Sequence, residues 1–483
     1  MKQGILFLRR MGYPAQKMMK KINGVTMDGH TVVDIDRNAD EIIIPEYAKD
    51  TTYQLPLYGV KSMTISDLML LAKFTGLPKR LVLNDKGNLS SYSLVYWNGA
   101  SAMDTVLGRA GLEWLELTKD NAYFKTIDGI LYSKDGYELI KCPIDRTGDV
   151  KIADRTVSIA PRAFENSEIA SVSFPDSLQE IKSKAFSQCR NLEYVNFGRG
   201  IQYIGSSSGG KQFQSCSHLK KIEFTAQIRG IGKDVFMNCG LEEVIFHEGL
   251  KKIDSGAFAY CEKLKKITLP DSLQYIGRFN FTEVEEIYLK SNVPSGMWSA
   301  VLSGVTAISP EYSQKLNTIV IHINDEVVCI PKSLNLSGQA DVAAVLEGRD
   351  KTRYGNTFKM SFWEPAQQDT ALFTYVYGIP NENTKEYLKE HGNEIAKRYL
   401  KAGHIELLVK LLKTGFVSHN GLNTLLEMLK EDSKMNLETQ TLAPPAAAKI
   451  DRQEPVVMAY IMQALEECRR KNGRVSAENL RLD

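Results

Sequence analysis

Between residues 150 and 290 the apolar positions come in short bursts with fixed punctuation. FPDSLQEIKSKAFSQCRNLEYVNF (174–197) and FHEGLKKIDSGAFAYCEKLKKITL (246–269) share one frame. It runs Leu-x-x-Ile, a small residue before Phe, Cys three residues later, then Leu-x-x-Ile-x-Phe/Leu. Phe164, Phe186, Phe213, Phe236, Phe258 and Phe281 mark six copies, spaced by 22, 27, 23, 22 and 23 residues. A fixed period of this length is the mark of a solenoid, in which no repeat can bury its apolar edge alone. The Ile-x-Phe/Leu segment alternates like a half-buried strand. Successive coils then stack about 4.8 Å apart and pair their strands in parallel. The pattern predicts short parallel strands centred near 151, 173, 196, 223, 245, 268 and 288 in one curved sheet, with the Phe and Cys residues stacked inside.

The frame reaches upstream. VKIADRTVSIAPRAF (150–164) fits VSFPDSLQEIKSKAF (172–186) position for position. IIIPEYA (42–48), MTIS (63–66), RLVL (80–83) and LEWLEL (112–117) read as degenerate strands of the same coil. TIDGILYSKDGYELIKCP (126–143) reads as a hairpin turning at Lys134-Asp135-Gly136, and TIVIHINDEVVCIP (318–331) as another turning at Asn324-Asp325. The second would cap an open end of the stack, since an exposed sheet edge invites aggregation. From about 383 the period changes to 3.6. Leu388, Ile395, Leu400, Ile405, Leu408 and Leu412 trace helices, capped at Asn383 or Thr384 and broken at Gly403. GLNTLLEMLKE and 455–470 add two more, with TLAPPAAA (441–448) as a linker.

These residues resemble the BspA-like, or treponemal, leucine-rich repeats, whose unit is about 23 residues. The motif A-F-x-x-C-x-x-L-x-x-I-x-F/L-P carries the resemblance strongly over 150–290 and loosely over 30–150. DGxLY, a tight turn and LIxxP at 126–143 resemble the hairpins that interrupt such solenoids. AGHIELLVKLLKTG resembles one helix pair of an ankyrin repeat. The fold class expected is a mostly β solenoid with an α-helical C-terminal subdomain. Its parts are a cap segment at 1–29, the solenoid at 30–330, a mixed connecting segment at 331–382 and the helical subdomain at 383–483. The resemblance implies a secreted or cell-surface adhesin as one alternative role.

Composition narrows the chemistry. Sixty Lys and Arg stand against 58 Asp and Glu, a formal charge of +2, so bulk attraction to nucleic acid is not expected. No apolar run approaches 18 residues, so no membrane span is expected. The N-terminal ILFL, between Lys2 and Arg9-Arg10, is too short for a secretory signal. Seven cysteines without such a signal point to reduced thiols and a cytoplasmic location. Cys189, Cys216, Cys239 and Cys261 follow the repeat and suit a buried slot, and no C-x₂₋₄-C pair suggests zinc. GSSSGGKQ (205–212) nearly matches a phosphate-binding loop, but Gln212 replaces the magnesium-binding hydroxyl. It is also the four-residue excess of the 27-residue coil, which makes it a loop excursion. Asn88, Asn280 and Asn335 stand in Asn-x-Ser/Thr triplets, taken as chance matches. His218 and His247 fall at surface positions of the frame.

No catalytic residue, cofactor or metal ligand stands out. The expected role is non-catalytic: a scaffold for a protein partner, using the outward side chains of the strands. Tyr194, Lys221, Glu223, Glu243, Lys266 and Tyr288 are the candidate binding residues. The two tyrosines would serve as anchors and the charges would set complementarity. An enzyme with an unrecognised site in 1–110 or 300–380 is a further alternative, because fold alone does not exclude chemistry.

Overall fold

The computed structural model describes residues 20–51, 54–84, 107–118, 121–205, 210–281, 283–302, 316–334, 342, 351–438 and 455–470. The ILFL stretch, Ser206–Gly209, Asn88, Asn335 and the 441–448 linker lie outside them. The chain divides into two compact units, Met1–Glu283 with Pro294–Ala300 and Val284–Val293 with Val301–Asp483.

The first unit is built of stacked coils. Ile42–Ile43, Ser62–Ile65, Arg80–Leu83 and Trp114–Leu117 form one parallel sheet, so the four degenerate segments are strands of a common ladder. An antiparallel meander precedes them, Lys20–Ile22, Val25–Asp28 and Thr31–Ile35. Asn23-Gly24, both at positive φ, makes its first turn.

Further along, each coil contributes two short strands. Gly148–Lys151, Ile169–Ser173 and Tyr194–Asn196 pair in parallel, as do Lys221–Glu223 and Glu243–Ile245; Lys266–Thr268 follows one repeat on. Their inward residues, Val150, Val172, Val195, Ile222, Val244 and Ile267, are all buried and all β-branched, a shape that packs well on a pleated surface. The Leu-x-x-Ile half of the frame supplies a second ladder that the sequence reading did not treat as strands. Glu138–Lys141, Ser158–Ile159 and Glu180–Ile181 pair in parallel. Tyr203–Ile204, Gly230–Ile231, Lys252–Ile253 and Tyr275–Ile276 do the same.

The strands stack in the expected order, but their pairing is segmented rather than one continuous sheet. Among the described residues the second ladder breaks between Ile181 and Tyr203, and the first breaks between Ile245 and Lys266 and at the 27-residue step from Val195 to Ile222. The Phe corner bridges that step. Phe186 N–H donates to the Gln212 carbonyl at 2.7 Å and Gln188 N–H to the Gln214 carbonyl at 2.7 Å.

That corner has a fixed geometry. Arg162, Lys184, Lys211, Asp234, Gly256 and Phe279, two residues before each Phe, all hold φ between 55° and 71°. Asn166, Gln188, Ser215, Asn238 and Tyr260, two residues after, hold φ between 59° and 63°. Most of these are not glycine, so each coil carries left-handed strain at two points. The buried ring between them balances it. The six rings stack face to face, with centroids 4.6, 5.0, 5.2, 5.5 and 5.7 Å apart along the series.

The 126–143 segment does not simply interrupt the coils. Phe124–Ile127, Ile130–Ser133 and Glu138–Lys141 form a meander whose last strand begins the second ladder. Its predicted turn is present, with Gly136 at φ 85° and Asp135 Oδ1 accepting from Tyr137 N–H at 3.0 Å.

In the second unit, Glu286–Leu289 pairs in parallel with Thr318–Ile323, which turns at Asn324-Asp325 into Glu326–Pro331. Helices follow at Glu364–Tyr377, Glu382–Ala402, Ile405–Thr414, His419–Glu438 and 455–470. The first lies in the segment read as mixed, where no 3.6 period was noticed. Its buried face includes Gln368, Asp369, Thr370 and Thr374, which blurs the apolar stripe. The second helix is capped by Asn381 and not by Asn383 or Thr384. Asn381 Oδ1 accepts from Thr384 N–H at 3.0 Å, which makes Thr384 the reciprocal member of a capping box. Gly403 closes it at φ 70°. Leu388, Ile395, Leu400, Ile405, Leu408 and Leu412 are all in the helical core.

Candidate interaction face

The outward positions of the first ladder are set by strand alternation: with Val195, Ile222, Val244 and Ile267 turned inward, their neighbours must face water. Tyr194 is 59% exposed. Lys221, Glu223, Glu243 and Lys266 are exposed as well. Register places Tyr194 beside Ser171, which in turn lies beside Asp149, and Lys221 directly beside Glu243.

That pairing changes the electrostatics expected from the sequence. Lys221 Nζ lies 3.0 Å from Glu243 and His247 Nε2 lies 3.2 Å from Glu223. Two of the four candidate charges therefore answer each other across the ladder and a third faces an imidazole. Exposed pairs of this kind hold little energy. A partner can replace them at small cost.

Tyr288 is placed differently. It lies in the second unit, half-buried, with its ring stacked on His322 at 4.2 Å and 3° and its hydroxyl donating to Glu286. The structure therefore groups Tyr194, Lys221, Glu223, Glu243 and Lys266 in the first unit and leaves Tyr288 in the second.

The second ladder carries aromatic side chains that sequence reasoning missed. Register aligns Tyr203, Gly230, Lys252 and Tyr275 in one outward row. A Cβ at Gly230 would stand 2.8 Å from the Tyr203 ring, so glycine lets that ring lie along the sheet. Tyr-Ile occurs at both 203–204 and 275–276, and alternation about the buried Ile would have pointed each tyrosine outward. A depression of about 400 Å³ beside this row is lined in part by Tyr203, Gly232, Lys233, Lys252 and Asp254.

The cysteine slot is interior. Cys189, Cys216, Cys239 and Cys261 are buried free thiols. Each donates to the carbonyl of the Phe one coil back: Phe164, Phe186, Phe213 and Phe236, at 2.9 to 3.2 Å. Burial pushes the Cys142 and Cys329 thiols up to about 12, and raises Cys189, Cys216 and Cys261 as well. Such thiols are poor nucleophiles. Among the described residues no helix is long and apolar enough to cross a membrane.

These coils match a known family. Residues 145–209 and 209–297 fit the BspA type leucine rich repeat region, in six copies. That stretch is a run of BspA-type leucine-rich repeats. Comparison with curated proteins gives no match. Among solved structures, a leucine-rich repeat protein from Eubacterium ventriosum is similar at 15% identity and a TM-score of 0.33, over 55% of this chain and 94% of that one. The pneumococcal vaccine antigen PcpA is similar at 19% and 0.32, over 61% of this chain and 65% of its own. A leucine rich cell surface protein from Faecalibacterium prausnitzii is similar at 23% and 0.32, over 55% and 63%. Likeness at this level says nothing about role.

Proposed function

We propose that this chain is a non-catalytic scaffold that binds a protein partner along the first ladder of its coils. One observation carries the reading. Tyr194, Lys221, Glu223, Glu243 and Lys266 project from stacked strands whose inward neighbours are locked in the core. Their spacing is therefore fixed before binding, which lowers the ordering cost of association. An extended, shallow row fits another macromolecule better than a small molecule, which favours an enclosed pocket. A tyrosine flanked by exchangeable charges is a common composition for a contact centre. Tyr288, half-covered by His322, is the weaker anchor.

The near-zero net charge favours protein over nucleic acid. Buried, unpaired thiols favour a reducing, cytoplasmic setting; cell fractionation tests this, and recovery at the cell surface would favour the adhesin reading. A photo-crosslinking residue at position 194 or 266 should trap one partner, identified by mass spectrometry, that a crosslinker at position 377 does not. Identical products from all three positions would remove this face as the site.

A further inference from the structure

In the helical unit three metal-ligating side chains meet outside the interaction face. Glu364 opens one helix, and His391 and Glu394 share one face of the next, three residues apart. Their ligand atoms lie within 4.8 Å of one another. His391 Nδ1 is 3.4 Å from Glu394 Oε2 and 3.9 Å from Glu364 Oε1. A tetrahedral cation with bonds of about 2.0–2.1 Å needs donors about 3.3 Å apart. Closing the set takes only small side-chain shifts.

The surroundings orient these donors. Gln368 Nε2 donates to Glu364 Oε1 at 3.0 Å, and Gln368 Oε1 in turn accepts from the largely buried Arg398 Nε at 2.8 Å. The Tyr387 ring lies 4.3 Å from the imidazole. The other imidazole nitrogen, Nε2, faces the Glu390 carboxylate at 3.9 Å. Nδ1, hydrogen-bonded to Glu394 Oε2 at 3.4 Å, is the nitrogen that faces both carboxylates, and a cation there takes the place of its proton.

We propose that Glu364, His391 and Glu394 bind one divalent cation of the zinc class, tying the helix Glu364–Tyr377 to the helix Glu382–Ala402. The imidazole selects against calcium and magnesium, which prefer all-oxygen sets. Glu364 and Glu394 are exposed, so water completes the coordination. The site is a staple between helices and takes no part in the interaction face.

Titration of the full chain with zinc chloride in a calorimeter tests this. One ion per chain should bind, and zinc should raise the thermal unfolding midpoint. His391→Asn and Glu394→Gln should each weaken binding at least tenfold and abolish the midpoint shift, with unchanged circular dichroism. If His391→Asn fails to fold, the exposed Glu394→Gln carries the test alone. No uptake by the native chain, or equal affinity in the folded variants, would overturn the proposal.

Discussion

The side chain of Asn280 takes the place of a backbone carbonyl in the sixth coil: its Oδ1 accepts from the Phe258 backbone N–H at 3.1 Å. In every earlier coil the Phe N–H donates to a backbone carbonyl of the next coil: Ala185, Gln212, Val235 and Ala257 serve Phe164, Phe186, Phe213 and Phe236. Asn280 Nδ2 also donates to the carbonyls of Asp254 and Gly277, at 2.8 and 2.7 Å. The residue is 1% exposed, so its Asn-x-Thr triplet is no accessible glycan acceptor. Asn280→Ala should cost about 1–3 kcal/mol, the penalty for leaving a buried donor unsatisfied. Urea unfolding measures it.

The ring stack makes an energetic contrast. Phe236→Ala should cost about 3–5 kcal/mol, because it empties a fully buried slot between two coils. Phe279→Ala, two residues from another Phe corner but exposed, should stay within about 0.5 kcal/mol. Parallel denaturation of both variants gives the comparison.

Alkaline pH should weaken the fold. Cys142 and Cys329 are held up to about 12 from an ordinary 9. The folded chain keeps protons that the unfolded chain releases above pH 9, so the unfolded state binds fewer and stability falls as pH rises. The contribution is complete below pH 9 and is lost as pH climbs from 9 to about 12. Unfolding midpoints between pH 8 and 10.5 should fall, and less steeply in Cys142→Ala. In the native chain a thiol reagent at pH 8 should modify the half-buried Cys468 first.

The helical unit rests on a buried charge pair. Asp369, fully buried, accepts from Arg398, from the Tyr399 hydroxyl at 2.8 Å and from Asn317 N–H at 2.9 Å. Asp369→Ala strands the guanidinium and should cost about 3–5 kcal/mol. Thermal unfolding followed by circular dichroism at helical wavelengths would show it.

The repeats were legible because each coil offers the same slots, and selection of Phe, Cys and β-branched residues at those slots leaves a period. The second ladder was harder to read. Beyond Glu138–Lys141 its strands are two residues long, too short for alternation to register, and only Tyr-Ile at 203 and 275 betrays them. The helix at Glu364–Tyr377 escaped because Gln368, Asp369, Thr370 and Thr374 are buried through hydrogen bonds rather than apolar contact. Glu364 of the proposed cation site was hidden with it, and His391 and Glu394 were not read as ligands either. On the candidate face, exposure followed from alternation, but the Lys221–Glu243 pairing and the covering of Tyr288 by His322 depend on strand register. A single sequence does not display that register.

The dissociation constant of the crosslinked partner, measured by calorimetry for the native chain and for Tyr194→Ala, bears most directly on the scaffold reading. Tyr194 is exposed and its removal should leave the unfolding midpoint unchanged. A contact anchor of this kind should weaken binding at least tenfold, about 1.4 kcal/mol, while Tyr377→Ala in the helical unit should not. Unchanged affinity in Tyr194→Ala would contradict the account.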